Sequence, residues 1–131
     1  MRTNRSSYLS ELPIYRKAMD IIILSRSIST YLNQDLAYLT PNGNEDSHIY
    51  FSGDIVQQST SLAPEIIKAE RENCSERRLK HVASIERLTN LLHTNCNRLE
   101  NSNSNGKDYL PILRNELQKF KRLKHVWMMT L

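Results

Sequence analysis

Two rows of apolar side chains run side by side along the first predicted helix, and this feature constrains the fold most. The first row contains Leu12, Tyr15, Met19 and Ile22. The second row is offset by roughly 100° around the helix axis, and it contains Ile14, Ala18, Ile21, Ser25, Ile28 and Leu32. So broad an apolar arc predicts burial on two sides. We therefore expect the helix to pack inside a small helical bundle and also against copies of the chain.

Length and composition favour one helical domain that spans residues 1–131. A chain of 131 residues can bury about two thirds of the surface that it exposes when unfolded. Only three glycines and four prolines interrupt it, and no segment shows the alternating pattern of a β-strand. The longest aliphatic run, Ile21–Leu24, is too short to cross a bilayer, and residues 1–5 lead into no apolar signal core. We therefore expect an all-α, cytoplasmic protein.

The spacing of apolar residues predicts four helices. They cover about Ser10–Asn33, Asp46–Glu70, 73–99 and 108–131. Because the connections between them are short, an antiparallel up-down-up-down four-helix bundle is the simplest topology.

Local signals define the ends of the first two helices. Ser10 is a candidate cap for the first helix, and Pro13 falls in its first turn, where a missing N–H costs nothing. Residues 39–44, which include Pro-Asn-Gly, predict a turn. Pro64 is expected to kink the second helix or to split it into two pieces.

Similar signals mark the second half of the chain. The third helix is expected to begin at an Asn73 cap, with Ser75 as the alternative. The segment Asn101–Lys107 contains Asn, Ser and Gly and predicts a flexible turn. Asp108 is then expected to cap the last helix.

Charge is distributed in blocks along the chain, whose formal net charge is +4. Residues 27–67 contain five acidic residues and no Lys or Arg, whereas residues 101–131 contain six basic residues and two acidic ones. A bundle with this distribution would attract polyanions on one side.

A basic stripe is predicted on the last helix, opposite its apolar row. It contains Arg114, Gln118, Lys121, Arg122 and His125, flanked by Lys119 and Lys124. A second cluster on the third helix contains Arg77, Arg78, Lys80 and Arg87. Such cations can follow a phosphate backbone without reading its sequence. The alternative interpretation is a solvated face that only maintains solubility.

No arrangement of residues predicts catalysis, a metal site or a cofactor. His93 and Cys96 are three residues apart, but no second pair is spaced to complete a metal site. The glutamates within 70–76 alternate with arginines and are interpreted as members of ordinary solvated ion pairs. Cys74 and Cys96 lack the spacing of a disulfide framework. We therefore expect a protein that is not an enzyme.

Four short motifs, in order along the chain, resemble those of a known family. They are Leu12-Pro13-Ile14-Tyr15-Arg16-Lys17, Tyr50-Phe51-Ser52-Gly53-Asp54-Ile55, Ala69-Glu70-Arg71 and Trp127. They resemble the accessory variability determinant of diversity-generating retroelements, which belongs with the four-helix-bundle proteins encoded in ribosomal RNA intervening sequences. The resemblance implies a five-membered ring of bundles whose basic surface binds a reverse transcriptase and its RNA template.

The chain departs from this family pattern at three places: the polar segment 40–47, the Asn/Ser segment 101–105, and Pro64. These departures leave open whether the chain serves a retroelement or belongs to the intervening-sequence branch.

Together these features predict a binding and scaffolding protein that forms a homo-oligomer, a pentamer by family resemblance. Its subunit interface is expected to involve Leu12, Ile14, Tyr15 and Met19. The basic residues of the third and fourth helices are expected to contact RNA or DNA, with the reverse transcriptase as a protein partner and no membrane. The alternative is a structural homo-oligomer whose basic stripe contacts only an acidic protein.

Overall fold

The described part of the chain is helical throughout. This computed structural model describes residues 5–36, 43, 48–102 and 104–131. The α-helices are α1 (Arg5–Glu11), α2 (Pro13–Leu36), α3 (His48–Arg71), α4 (Ser75–Leu99) and α5 (Leu110–Met128), with a short 3₁₀ helix at Asn105–Tyr109. Because these described residues form no β-strand, the all-α prediction is confirmed, with four of the helices long.

The first predicted helix is divided in two near its start. Ser10 does not cap it, because Ser10 lies inside the short helix α1. The long helix α2 instead begins at Pro13, and the Leu12 carbonyl accepts the Arg16 N–H at 3.0 Å to form the first turn. Pro13 is suited to this position because its ring presets the helical φ angle and its missing N–H would have no partner there.

Helix α3 runs without interruption through Pro64, so of the two expected outcomes the split into two pieces is wrong, and the kink stays a prediction. Pro64 and Thr60 both lie on the exposed side of the helix, where water can bind the carbonyl that the proline leaves without a partner. The predicted turn at 39–44 lies outside the described residues except for Gly43. Its φ of 79° is a left-handed conformation that glycine adopts without strain.

The cap of α4 is also not the predicted one. Cys74 occupies the cap position with an extended backbone, and neither Asn73 nor Ser75 caps the helix. The Glu72 carboxylate accepts the Cys74 N–H at 3.1 Å. At this helix start one backbone N–H is therefore bound by a glutamate that precedes the helix, and no cap side chain takes part.

The segment before α5 is held against α2 rather than extended freely into solvent. Ser104 caps the 3₁₀ helix by accepting the Gly106 N–H at 3.0 Å, and its hydroxyl donates to Asp35 at 2.5 Å. A Cβ at Gly106 would lie 2.8 Å from the Tyr31 ring. For residues 104–107 the expected flexible turn is therefore wrong. Asp108 lies within the 3₁₀ helix, and the cap of α5 is Tyr109.

The four long helices share one hydrophobic cluster. Helix α2 packs against α3 and α5, and α4 packs against the same two helices. The second apolar row of α2, Ile14 to Leu32, is buried throughout, as its spacing predicted. The first row is only partly covered: Leu12 and Tyr15 are half-buried, and Met19 is exposed.

Two pairs of serines face each other inside the α2–α3 contact. Ser25 and Ser59 lie 2.8 Å apart, and Ser29 and Ser52 lie 2.7 Å apart. All four side chains are buried. The Ser59 hydroxyl also donates to the Ile55 carbonyl at 2.5 Å, so within the first pair Ser25 must donate to Ser59.

This direction of donation predicts unequal effects of two conservative substitutions. Ser59→Ala removes the acceptor of the buried Ser25 hydroxyl and is expected to cost about 1–3 kcal/mol. Ser25→Ala leaves Ser59 bonded to Ile55 and should cost less than about 1 kcal/mol. Urea denaturation of both variants measures the difference. A larger loss for Ser25→Ala would contradict the assigned donor.

Candidate nucleic-acid interface

Positive charge is concentrated on two neighbouring helices. Helices α4 and α5 together carry ten Lys and Arg residues and three acidic ones, a balance of +7. Helices α2 and α3 carry five of each, a balance of zero. Since α4 and α5 pack against each other, the α4–α5 half of the molecule is basic and the α2–α3 half is neutral.

Two cations of the predicted stripe already have partners on α4 or just after it. Arg114 forms an ion pair with Glu100, with the Nη1–Oε1 distance at 2.6 Å. Lys124 lies 3.8 Å from the Glu86 carboxylate, and its side chain is only 13% exposed. These two residues therefore tie α5 to α4 before any ligand binds.

Two further predicted cations are engaged elsewhere. Arg78 donates from Nε and Nη2 to the Glu72 carbonyl, at 3.2 and 2.9 Å, and so closes the turn before α4. Lys119 lies 3.6 Å from Glu116, which is bound more closely by Lys17 at 2.7 Å. This closer hydrogen bond lowers the pKa of Glu116 and raises that of Lys17, and it joins α2 to α5.

The remaining cations of the two clusters form no ion pair or hydrogen bond with any residue that the structure describes. We call them the exposed basic set: Arg77, Lys80, Arg87, Lys121 and Arg122. All are exposed except Lys121, which is half-buried. Lys80 and Arg87 line a shallow groove on α4 together with Ala83 and Ser84. This set, rather than the whole predicted stripe, is available to an anionic partner.

The contact between α4 and α5 has a regular register, which sequence reasoning missed. Residues spaced by multiples of seven along α4, and just after its end, contact α5 one after another. Leu79 shares a pocket with Met128, Glu86 meets Lys124, and Glu100 meets Arg114. His93 occupies the remaining position of this series. Repeats of seven along one helix are the signal that would have found it.

His93 lies in an electropositive environment. Its Nδ1 is buried and has no hydrogen-bond partner among the described residues, which costs about 1–3 kcal/mol for such an atom. Burial lowers the pKa of His93, and the nearby positive charges of Lys121 and Arg114 lower it further. Only Glu100 acts in the opposite direction. Burial and these two cations therefore both favour the neutral imidazole over its charged form.

Cys96 is not placed to bind a metal or to form a disulfide with Cys74. Cys96 is fully buried, and burial raises the pKa of its thiol to about 12, so the thiolate needed by a metal is disfavoured. Among described residues, no three His, Cys, Asp or Glu side chains are grouped to hold a metal ion. Cys74 is about 33 Å away along the same helix, too far to form a disulfide with Cys96.

The glutamates within 70–76 were expected to form ion pairs with the neighbouring arginines, and for two of them the structure differs. Glu70 accepts the indole N–H of Trp127 at 2.6 Å and thereby fixes the end of α5. The Glu72 carboxylate accepts the Cys74 N–H at the start of α4. The backbone carbonyl of Glu72 accepts a hydrogen bond from the Arg78 guanidinium.

The expected subunit interface needs one correction. Ile14 is 1% exposed and belongs to the core of its own chain, so it is not available to a second copy. Leu12 and Tyr15 are half-buried and Met19 is exposed, so these three residues stay candidates for the predicted interface. Sequence reasoning missed Ile23, which is 61% exposed on the same helix. It belongs to neither apolar row, and this was the signal that it points away from the core.

Comparisons with known proteins gave no match for this chain. No protein-family profile, curated protein sequence or solved structure matches the chain. Within the described ranges, no helix combines the length and the apolar character that are needed to span a bilayer.

Proposed function

We propose that this chain is a non-enzymatic accessory protein that binds nucleic acid and acts as a scaffold for a reverse transcriptase and its RNA template in the cytoplasm. The family resemblance to the accessory variability determinant suggests the reverse transcriptase and the retroelement. The observation that carries nucleic-acid binding is the segregation of charge, +7 on α4 and α5 against zero on α2 and α3.

The exposed basic set supports this proposal more strongly than total charge does. Because these five cations lack partners in the described chain, binding a phosphate does not require them to break an existing ion pair. Each contact with a phosphate releases condensed counterions and adds affinity that does not depend on base sequence.

The proposed scaffold is an antiparallel up-down-up-down bundle. Contacts between α2 and α3 support it, because increasing residue numbers on α2 pair with decreasing residue numbers on α3, as antiparallel helices require. Ser25 meets Ser59 and Ser29 meets Ser52 across α2 and α3. Such a bundle would hold α4 and α5 side by side as a rigid binding surface.

Nucleic-acid binding is tested directly by fluorescence anisotropy with labelled single-stranded RNA. If all five cations of the exposed basic set contact phosphates, affinity should fall by roughly a hundredfold between about 50 and 200 mM salt. DNA of the same sequence should show a similar slope, because phosphates rather than bases are contacted. Absence of binding at low salt would contradict the proposal.

We also propose that the chain forms a homo-oligomer, with five subunits as the family resemblance implies. Met19 and Ile23 on α2 are exposed apolar side chains on the neutral half of the molecule. A contact through α2 would cover them and leave α4 and α5 open, and a ring would repeat the basic surface around its circumference.

Ile23→Glu is expected to reduce the mass of the assembly without loss of helix. Light scattering of the wild type should give a discrete species several times the chain mass of 15.3 kDa, and the variant should approach the single-chain value. Leu91→Glu is a matched control, since Leu91 is 43% exposed on α4, away from α2. A monomeric wild type, or equal dissociation by the control, would contradict this interface.

A structural homo-oligomer that binds only an acidic protein is the second candidate. The observation that favours it is the position of Met19 and Ile23. Both are exposed on α2, so a subunit contact there does not involve the basic α4–α5 half. An intact oligomer that retains no RNA or DNA at low salt would support this second function and exclude the first.

A further inference from the structure

The groove between α4 and α5 contains one position where positive charge is not balanced. Two of the register positions on α4 or just after it are glutamates, Glu86 and Glu100, and each faces a cation of α5. His93 holds the position between them, where a third glutamate would have continued the pattern. Lys121 lies near His93 and has no acidic partner among the described residues.

The charged groups around His93 are few and come from both helices. Helix α5 contributes Lys121 and Arg114, and the end of α4 contributes Glu100. Glu100 is already bound by Arg114 at 2.6 Å. An anion placed here would therefore meet Lys121 without competition and would share Arg114 with Glu100.

We propose that one phosphate group of the nucleic-acid backbone binds in this groove, held by Lys121 and Arg114, and that its binding is coupled to protonation of His93. This inference rests on the proposed nucleic-acid function and adds a specific subsite to it. The half-buried position of Lys121 and the unpartnered Nδ1 of His93 distinguish this place from the open outer face of α4.

The direction of the pH dependence follows from the charges. In the free protein, burial together with Lys121 and Arg114 keeps the pKa of His93 below its usual value. A bound phosphate adds negative charge beside the ring, so it favours the protonated form and raises that pKa. By linkage, a ligand that raises a pKa binds more tightly as the pH falls through the range between the two pKa values. Coupling to one proton increases the affinity by up to about tenfold per pH unit in that range.

The pKa of His93 is the first readout. An NMR titration of the histidine ring signals, made with and without a short oligothymidylate, should show the pKa of His93 raised by about one unit on binding. Inorganic phosphate serves as a second probe and should produce a smaller shift in the same direction. The ring signals of His81, which bonds to Glu65 at 2.8 Å toward α3, should not respond to either probe.

Affinity is the second readout, measured by anisotropy between about pH 5.5 and 8. His93→Gln should remove most of the pH dependence over that range. Lys121→Gln should weaken binding at every pH, and Glu100→Gln should strengthen it by freeing Arg114. His81→Gln is the matched control on the same helix and should keep the wild-type pH profile.

Failure of the subsite differs from failure of the proposed function. If the oligonucleotide binds but His93→Gln keeps the full pH dependence, the phosphate subsite is refuted while nucleic-acid binding stands. If inorganic phosphate raises the pKa of His93 but no oligonucleotide binds, the groove is an anion site and the nucleic-acid function is refuted. If neither probe changes the pKa of His93, the coupled site does not exist.

Discussion

Replacing both Lys121 and Arg122 with glutamate is expected to weaken binding of single-stranded RNA by about a hundredfold or more at low salt. Two phosphate contacts are lost, and two carboxylates now repel the backbone, at about 1 kcal/mol for each close pair of charges in water. Every 1.4 kcal/mol corresponds to a tenfold change in affinity. Fluorescence anisotropy measures the effect, and the variant's slope of affinity against salt should also be shallower.

A charge-matched variant separates a local site from the effect of net charge. Lys68→Glu with Arg71→Glu changes the net charge by the same amount, but both residues are exposed on α3. This control should lose far less affinity than the α5 variant. Helical content of both variants, measured by circular dichroism, should match the wild type because all four positions lie outside the core. Equal losses in the two variants would show that binding follows total charge, not the α4–α5 surface.

Phe120→Ala is expected to cause a large loss of stability, about 3–5 kcal/mol. Phe120 has no exposed surface and belongs to the cluster shared by the long helices. Truncation removes a buried ring and leaves a cavity that neighbouring side chains fill only in part. Because domains of this size are stable by about 5–15 kcal/mol in total, urea denaturation followed by circular dichroism should show a strongly reduced midpoint.

The control for this prediction lies on the same helix. Ile112 is half-exposed on α5, so Ile112→Ala should change the stability by about 0.5 kcal/mol or less. Phe120→Leu should fall between the two variants because it retains most of the apolar volume. Comparable losses for Ile112→Ala and Phe120→Ala would contradict the assigned orientation of α5.

The long helices could be predicted from sequence because their apolar spacing reflects the core directly. The row from Ile14 to Leu32 is buried as the pattern required. Helix starts were harder to predict, since a cap side chain contributes only about 1 kcal/mol. At the first helix, the residues around Ser10 form the separate helix α1, where Leu9 is buried, and this packing overrides the cap preference of Ser10.

Contacts between residues distant in sequence account for the remaining differences. Ser104 is held by Asp35, which is 69 residues away, and no local pattern announces this bond. Contacts between residues distant in sequence also decide which cations lack an acidic partner. Arg114 shares the predicted stripe with Lys121 and Lys124 flanks it, yet only Arg114 and Lys124 meet a glutamate across the groove. Sequence therefore located the basic helices but not the members of the exposed basic set.

Lysine footprinting tests most directly whether the α4–α5 half contacts nucleic acid. Exposed amines would be acylated with and without saturating single-stranded RNA, and the modified sites would be measured by mass spectrometry. We expect Lys80 and Lys121 to become several-fold less reactive when RNA is bound. Lys68, whose side chain is 58% exposed on α3, should keep its reactivity. Protection of Lys68 together with unchanged reactivity of Lys80 and Lys121 would contradict the proposed interface.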